Sequence, residues 1–213
     1  MKKKNNLIIT IILGIVSILY TILVKYVLVE CIGPNNSCVG FASINSWFHD
    51  LTGVNMNLYN ITEYLGYLAI CIALVYALIG FIEFIKRKNI FKVDREIFLL
   101  AFLYIIVIAI YLFFEKVVIN YRPVLIDGIL EASYPSSHTL LAITICFSAI
   151  LVNKKLFEDK TKIINIIIAI LGILILLGRL ISGVHWLTDI IGGILISAFV
   201  LMLFYTFLEI KSK

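Results

Sequence analysis

Long apolar runs alternate with short polar segments along the 213 residues. Six runs stand out: Leu7 to Val29, Ile61 to Ile85, Ile97 to Phe114, Ser137 to Val152, Ile163 to Leu177 and Trp186 to Leu208. A helix rising 1.5 Å per residue needs about 20 residues to cross roughly 30 Å of hydrocarbon, so each run reads as a membrane span. The fourth and fifth lie near the lower length limit. The pattern predicts an all-α integral membrane bundle of six transmembrane helices, one membrane domain over residues 1–213. The first run follows Lys2, Lys3 and Lys4, as a signal peptide would. Its apolar stretch is too long and no small-x-small cleavage site closes it, so a retained helix is expected, with Lys25 snorkelling outward near its end.

Glu30 to Asn60 is the only long outer segment. Within it Phe41, Ile44, Trp47, Phe48 and Leu51 recur at helical spacing, while Ser43, Asn45, Ser46 and Asp50 fill the opposite face. A short helix lying in the outer interface fits, its polar face in water and Trp47 at headgroup level. His49, beside Asp50, is expected to be solvated there.

A chain that is 62% hydrophobic and 15% charged is not an ordinary soluble domain. The net charge of +5 does not point to nucleic acid, because the cations fall in short clusters between apolar runs and make no basic stripe. They orient the bundle instead. With both termini inside, Lys2, Lys3, Lys4, the cations from Lys86 to Arg95, those from Lys154 to Lys162, Lys211 and Lys213 all face the cytoplasm. Only Lys25, Lys116, Arg122 and Arg179 of the 18 Lys and Arg residues fall outside, and topology gives no reason for them. Cys71 and Cys146 sit within apolar runs and are expected to pack there. Cys31 and Cys38, seven apart in a Gly/Pro/Asn loop, can pair if that loop faces an oxidising compartment; spacing alone leaves this open.

Three outer segments collect the remaining chemistry: Lys116 to Pro123, Pro135 to His138, and Arg179 to Asp189. If the last helix begins near His185, Asp189 shares its face one turn deeper. The carboxylate would then accept one imidazole N–H, fix the tautomer and leave the other nitrogen as a nucleophile. A helix-surface His/Asp pair would look the same, although ionisable groups at a bilayer edge tend to be functional. In Tyr-Pro-Ser-Ser-His, Pro135 and Ser136 read as a helix start with Ser136 as its cap. First-turn amides there make an anion site, and His138 on that turn is a candidate general acid. Arg122, Arg179 and Lys116 supply the charge and forked donors that a phosphoryl group needs; contact with lipid headgroups is the alternative. No HExxH, carboxylate cluster, Cys/His set or Walker-type loop appears, so neither a metal nor a nucleotide cofactor is expected.

The three segments resemble the tripartite signature of the type 2 phosphatidic acid phosphatase (PAP2) superfamily: K-x6-R-P, P-S-G-H and S-R-x5-H-x3-D. Arg179, His185 and Asp189 keep the third spacing in full, with Gly178 in place of Ser. Pro135, Ser136, Ser137 and His138 form the second block, with Ser137 in place of Gly. Arg122 and Pro123 keep the end of the first, but Lys116 stands six positions before Arg122 where the family has seven. The resemblance, carried by Lys116 to Asp189, implies a lipid phosphatase that works without metal. His185 would form a phosphohistidine, Asp189 orient it, and His138 protonate the leaving oxygen. Arg122, Arg179, Ser136, Ser137 and Lys116 would hold the phosphoryl group. The superfamily also includes soluble vanadium haloperoxidases, which six spans argue against. The expected setting is a bacterial cell membrane with the site outside and a membrane lipid phosphate or diphosphate as substrate. An undecaprenyl-diphosphate-like carrier, phosphatidylglycerol phosphate and phosphatidic acid all fit. The rival class is a non-catalytic lipid-phosphate binder or transporter that keeps the anion pocket.

Overall fold

A computed structural model describes residues 2–210. Lys211 and Lys213 lie outside the described residues, as do the side chains of Lys2 and Lys3. The elements are helices: α1 (Lys2–Tyr26), α2 (Ala42–Thr52), α3 (Met56–Arg87), α4 (Arg95–Lys116), α5 (Ser137–Leu156), α6 (Lys162–Ile181) and α7 (Leu187–Leu208), with short 3-10 turns between some of them. All but α2 are long and apolar enough to cross a membrane. The protein is an all-α integral membrane protein with six spans.

Polar residues had concealed several helix ends. α5 and α6 each run for 20 residues, because Asn153 to Leu156 and Gly178 to Ile181 continue turns that apolar content alone would have stopped. α3 reaches back to Met56, capped by Asn55 Oδ1, which accepts from the Leu58 N–H at 3.0 Å. Its first residues, before Ile61, include Asn57 and Asn60, and therefore looked like loop.

α5 is the central helix and packs against α3, α4, α6 and α7, while α1 lies along α7. Thr139, Ala142, Thr144, Ser148 and Ala149 are buried on α5, and small side chains of this kind let membrane helices approach closely. The apolar core joins Leu100, Leu103 and Val107 of α4 to Leu140 and Val152 of α5, Ile175 of α6 and Val200 and Phe204 of α7. Ile18, Leu74, Ile105 and Ile167 point outward, where acyl chains would cover them. Cys146 packs as expected, whereas Cys71 is exposed on α3.

Charge separates the two ends of the bundle. Thr10 Oγ1 lies 3.2 Å from Thr206 Oγ1, so the start of α1 sits beside the end of α7. The same end holds Arg95, whose Nη1 donates to Ile210 O at 2.6 Å, and the pairs Arg87–Asp94 and Lys155–Glu209. The opposite end carries α2, the segments 117–136 and 182–186, and a disulfide between Cys31 and Cys38, which closes the alternative left open by their spacing. Lys25 does more there than snorkel: its Nζ donates to Val118 O at 2.9 Å, beyond the end of α4.

α2 is turned differently from its expected pose. Asn45 is 0% exposed, its Nδ2 donating to Gly40 O and Thr188 Oγ1 while its Oδ1 accepts from Thr188 N–H at 3.1 Å. A side chain assigned to water thus satisfies an orphan donor in the first turn of α7. The faces bearing Ile44, Trp47 and Leu51 remain exposed. His49 is half-buried with its ring 5.5 Å from that of Trp186, and burial lowers its pKa against an opposing pull from Asp50. It is therefore not the solvated histidine that its neighbour Asp50 implied.

Candidate active site

The first block is positioned by a hairpin. Leaving α4, the chain pairs Arg122 N–H with Glu131 O at 3.1 Å and Ser133 N–H with Asn120 O at 2.9 Å. Asp127 and Gly128 turn it at φ values of 49° and 78°, flanked by reciprocal Ile126 and Ile129 bonds of 3.0 and 2.8 Å. Two left-handed residues suit the twist of a two-residue hairpin, and Asp-Gly is a preferred pair for it. Trp186 Nε1 donates to Tyr121 O at 2.8 Å and pins the hairpin to the segment before α7. An Asp-Gly pair between apolar residues was the sequence signal for this element, and helix-centred reading passed over it.

His185 precedes α7 instead of riding on it. Trp186 is the N-cap, and Asp189 is the third helical residue, its Oδ2 accepting from Trp186 N–H at 3.0 Å. The two side chains therefore do not share a helix face, and Ser133 joins them. Ser133 Oγ donates to Asp189 Oδ2 at 2.5 Å and lies 2.9 Å from His185 Nδ1, while Asn120 Nδ2 donates to Asp189 Oδ1 at 2.9 Å. Because the single hydroxyl proton goes to the carboxylate, Oγ is left to accept from Nδ1–H. That tautomer puts the lone pair on Nε2, which faces Arg122 Nη1 at 3.3 Å. The histidine is only 3% exposed, and its pKa lies well below 6.5, first through burial, then through the charges of Arg122, Arg179 and His138. A neutral imidazole with a directed lone pair is the form a nucleophile requires.

His138 stands in the first turn of α5, its Nε2 3.2 Å from Glu63 Oε1. The same oxygen accepts from Arg179 Nη2 at 2.7 Å. Arg179 is fully buried, with Cζ 4.6 Å above the Tyr59 ring, and its Nε and Nη1 find no hydrogen-bond partner among the described residues. Arg122 Nε lies 3.0 Å from Glu131 Oε2 in an ion pair without hydrogen-bond alignment. α3 comes this close because it carries little at Gly66, where a Cβ would meet His138 Cδ2 at 3.1 Å. On the facing helix a Cβ at Gly178 would run into Thr62 Cγ2, so the serine of the signature has no room there.

A cavity of about 490 Å³ is lined by Arg122, Ser137, His138 and His185, with Tyr59, Glu63 and Glu131 also on its wall. Arg179 is not on that wall and bonds to Glu63, which is. Asp189 is fully buried and reaches the cavity only through Ser133. Ser136 faces elsewhere than expected: its N–H donates to Asp189 O at 3.0 Å and its Oγ accepts from Thr139, so it ties α5 to α7 and does not face an anion. Lys116 ends α4 exposed and does not line the cavity, as a side chain turned about 100° by the missing residue would be. Ser133, Asn120 and Glu63 join the arrangement without having been anticipated. Among the described residues, no three His, Cys, Asp or Glu side chains gather as a metal site.

Fold and site together define a membrane-embedded helical bundle whose one end encloses a neutral histidine beside two arginines, an arrangement suited to a phosphoryl anion. The PAP2 superfamily profile matches residues 65–213, and the chain belongs to that superfamily. The fold is similar to the crystal structure of a transmembrane PAP2-type phosphatidylglycerolphosphate phosphatase from Bacillus subtilis. The TM-score is 0.67 at 18% identity, over 95% of this chain and 97% of that one. No curated protein matches the sequence.

Proposed function

We propose that this protein is a lipid-phosphate hydrolase acting at the extracytoplasmic face through a phosphohistidine. The observation that carries the reading is the line Asp189–Ser133–His185–Arg122, which leaves the Nε2 lone pair beside a guanidinium in the cavity. In the proposed reaction Nε2 attacks phosphorus while Arg122 and Arg179 draw charge from the equatorial oxygens. His138 gives its proton to the departing lipid oxygen. Water, deprotonated by His138, then splits the phosphorus–nitrogen bond. Phe114, Val118, Leu130 and Leu140 add apolar surface to the same cavity, which suits a substrate whose phosphate is tethered to an acyl or prenyl tail.

Outward placement is supported by the basic segments at the far end and by the disulfide at the end bearing the site. Phosphatidylglycerol phosphate, phosphatidic acid and a polyprenyl diphosphate fit the chemistry equally. The test is phosphate release by purified full-length chain from these three lipids in EDTA, with cysteine-accessibility labelling at positions 88 and 122 in intact cells. Release without added divalent ions, with position 122 labelled from outside and 88 protected, is expected. Binding of all three without release would leave the non-catalytic binder standing.

A further inference from the structure

Glu63 belongs to none of the three signature blocks and lies just before the matched residues 65–213. Even so, it holds two groups that the proposed phosphoryl reaction uses, Arg179 and His138. One carboxylate oxygen, Oε1, takes the Arg179 Nη2 hydrogen bond and the His138 Nε2 contact together. Arg179 is wholly buried, whereas a quarter of the Glu63 side chain remains open to the cavity. The carboxylate is therefore the member of the pair that an incoming anion can displace. Both contacts run through one atom and not through a bidentate fork, so a group offering three oxygens has the advantage. Two further Arg179 donors, Nε and Nη1, are enclosed and have no hydrogen-bond partner among the described residues, so Glu63 meets only part of what the guanidinium offers. A carboxylate and a phosphate cannot both keep these donors, because like charges at contact distance in a poorly solvated site repel strongly.

We propose that Glu63 is a built-in anion that holds the place of a phosphoryl oxygen, and that it sets how tightly the site retains phosphate. The inference rests on the phosphoryl-site reading above. It makes Glu63 a determinant of affinity and product release: the carboxylate swings off Arg179 when a lipid phosphate enters and returns as inorganic phosphate leaves. Tyr59, one turn earlier and stacked on Arg179, forms the wall along which it moves.

The test uses the full chain in detergent or nanodiscs with orthovanadate as the probe, its binding followed by calorimetry, and lipid hydrolysis followed with inorganic phosphate added. Glu63→Gln is expected to bind vanadate about tenfold or more tightly than the native chain, and to be inhibited by inorganic phosphate at correspondingly lower concentration. A merely structural role for Glu63 would weaken binding, never tighten it. Folded Glu63→Gln protein that binds vanadate no more tightly than the native chain overturns the proposal. Should that variant fail to fold, Glu63→Asp keeps the charge and withdraws it by one methylene. Tightening by a smaller factor is then expected, and unchanged or weaker binding again overturns the idea. A native chain that hydrolyses lipid phosphates alongside a Glu63→Gln chain of unaltered affinity removes the proposal alone. Tighter vanadate binding by Glu63→Gln, with no hydrolysis by any form, removes the hydrolase reading and leaves the place-holding role of Glu63 intact.

Discussion

At the basic end of the bundle, Arg87 meets Asp94 at 2.7 Å and Lys155 meets Glu209 at 3.1 Å, each side chain about a third or more exposed. At the other end Arg179 and Asp189 are wholly buried, and every atom of Asp189 that can accept a hydrogen bond has a named donor. Exposed pairs are solvated and screened, contribute little to stability, and need no particular partner. Buried ions cost several kcal/mol to desolvate, so each must be matched from several directions. Arg179 is matched incompletely, since its Nε and Nη1 have no hydrogen-bond partner among the described residues. The same residue types thus act as a sum of charges at one end and as a geometry at the other.

Mutation can widen or collapse that contrast, and the largest effect is expected at His185. His185→Ala should abolish phosphate release from every lipid tested, and substantial turnover by folded variant would end the phosphohistidine reading. Arg122→Ala and Arg179→Ala come next, each expected to lower kcat/KM by about two to three decades through loss of a directed donor to transition-state charge. Arg122→Ala carries a second signature. Because burial and the neighbouring arginines depress the His185 pKa, the acid limb of kcat/KM in the native chain should lie below pH 6.5, after correction for substrate ionisation. Activity is thus kept as pH falls through 6.5 and lost only lower down. Removing the Arg122 charge should shift the limb upward, and an unshifted limb would assign it to another group.

Ser133→Ala tests the link that replaces direct His–Asp contact. It should cost about one to two decades in kcat with little change in KM, because the imidazole loses the partner that fixes its tautomer. Asp189→Asn should cost at least as much. A Ser133→Ala enzyme of native kcat would show that the carboxylate orients the histidine by some other route. Lys116→Ala, at an exposed helix end, should lower kcat/KM by about tenfold or less, and a loss equal to that of Arg122→Ala would place it in the site. Smallest of all is Lys155→Ala at the basic end. It should change stability by about 0.5 kcal/mol or less and leave turnover unchanged.

Six spans and the split between the ends were legible because a bilayer imposes length and charge rules that act on every residue. The Arg179, His185 and Asp189 spacing was legible because these residues sit where one helix ends and the next begins. Ser133 and Asn120 were not. Each is a small polar residue in a loop, and only the hairpin pairing around Asp127 and Gly128 brings them beneath Asp189. Glu63 lay inside the predicted span, and nothing in the sequence shows that a lone carboxylate near the start of α3 reaches Arg179 and His138 across the bundle. Asn45 shows the limit of helical-face reading, since Ser43 and Asp50 of the polar face stay exposed while Asn45, between them, turns inward to meet the Thr188 amide.

The close approach of Gly178 to Thr62 bears on how this sequence can change. Serine at 178, which the signature carries, collides with the Thr62 methyl. If threonine yields by rotating about χ1, it breaks its 2.8 Å hydrogen bond to Tyr59 O. The two positions are therefore epistatic. A step to serine is closed while threonine stands opposite and opens once position 62 shrinks, so the order of substitutions matters even though neither residue lines the cavity. A glycine that reads as a defect in the signature is, in this chain, packed against a residue on α3, outside the residues the signature describes.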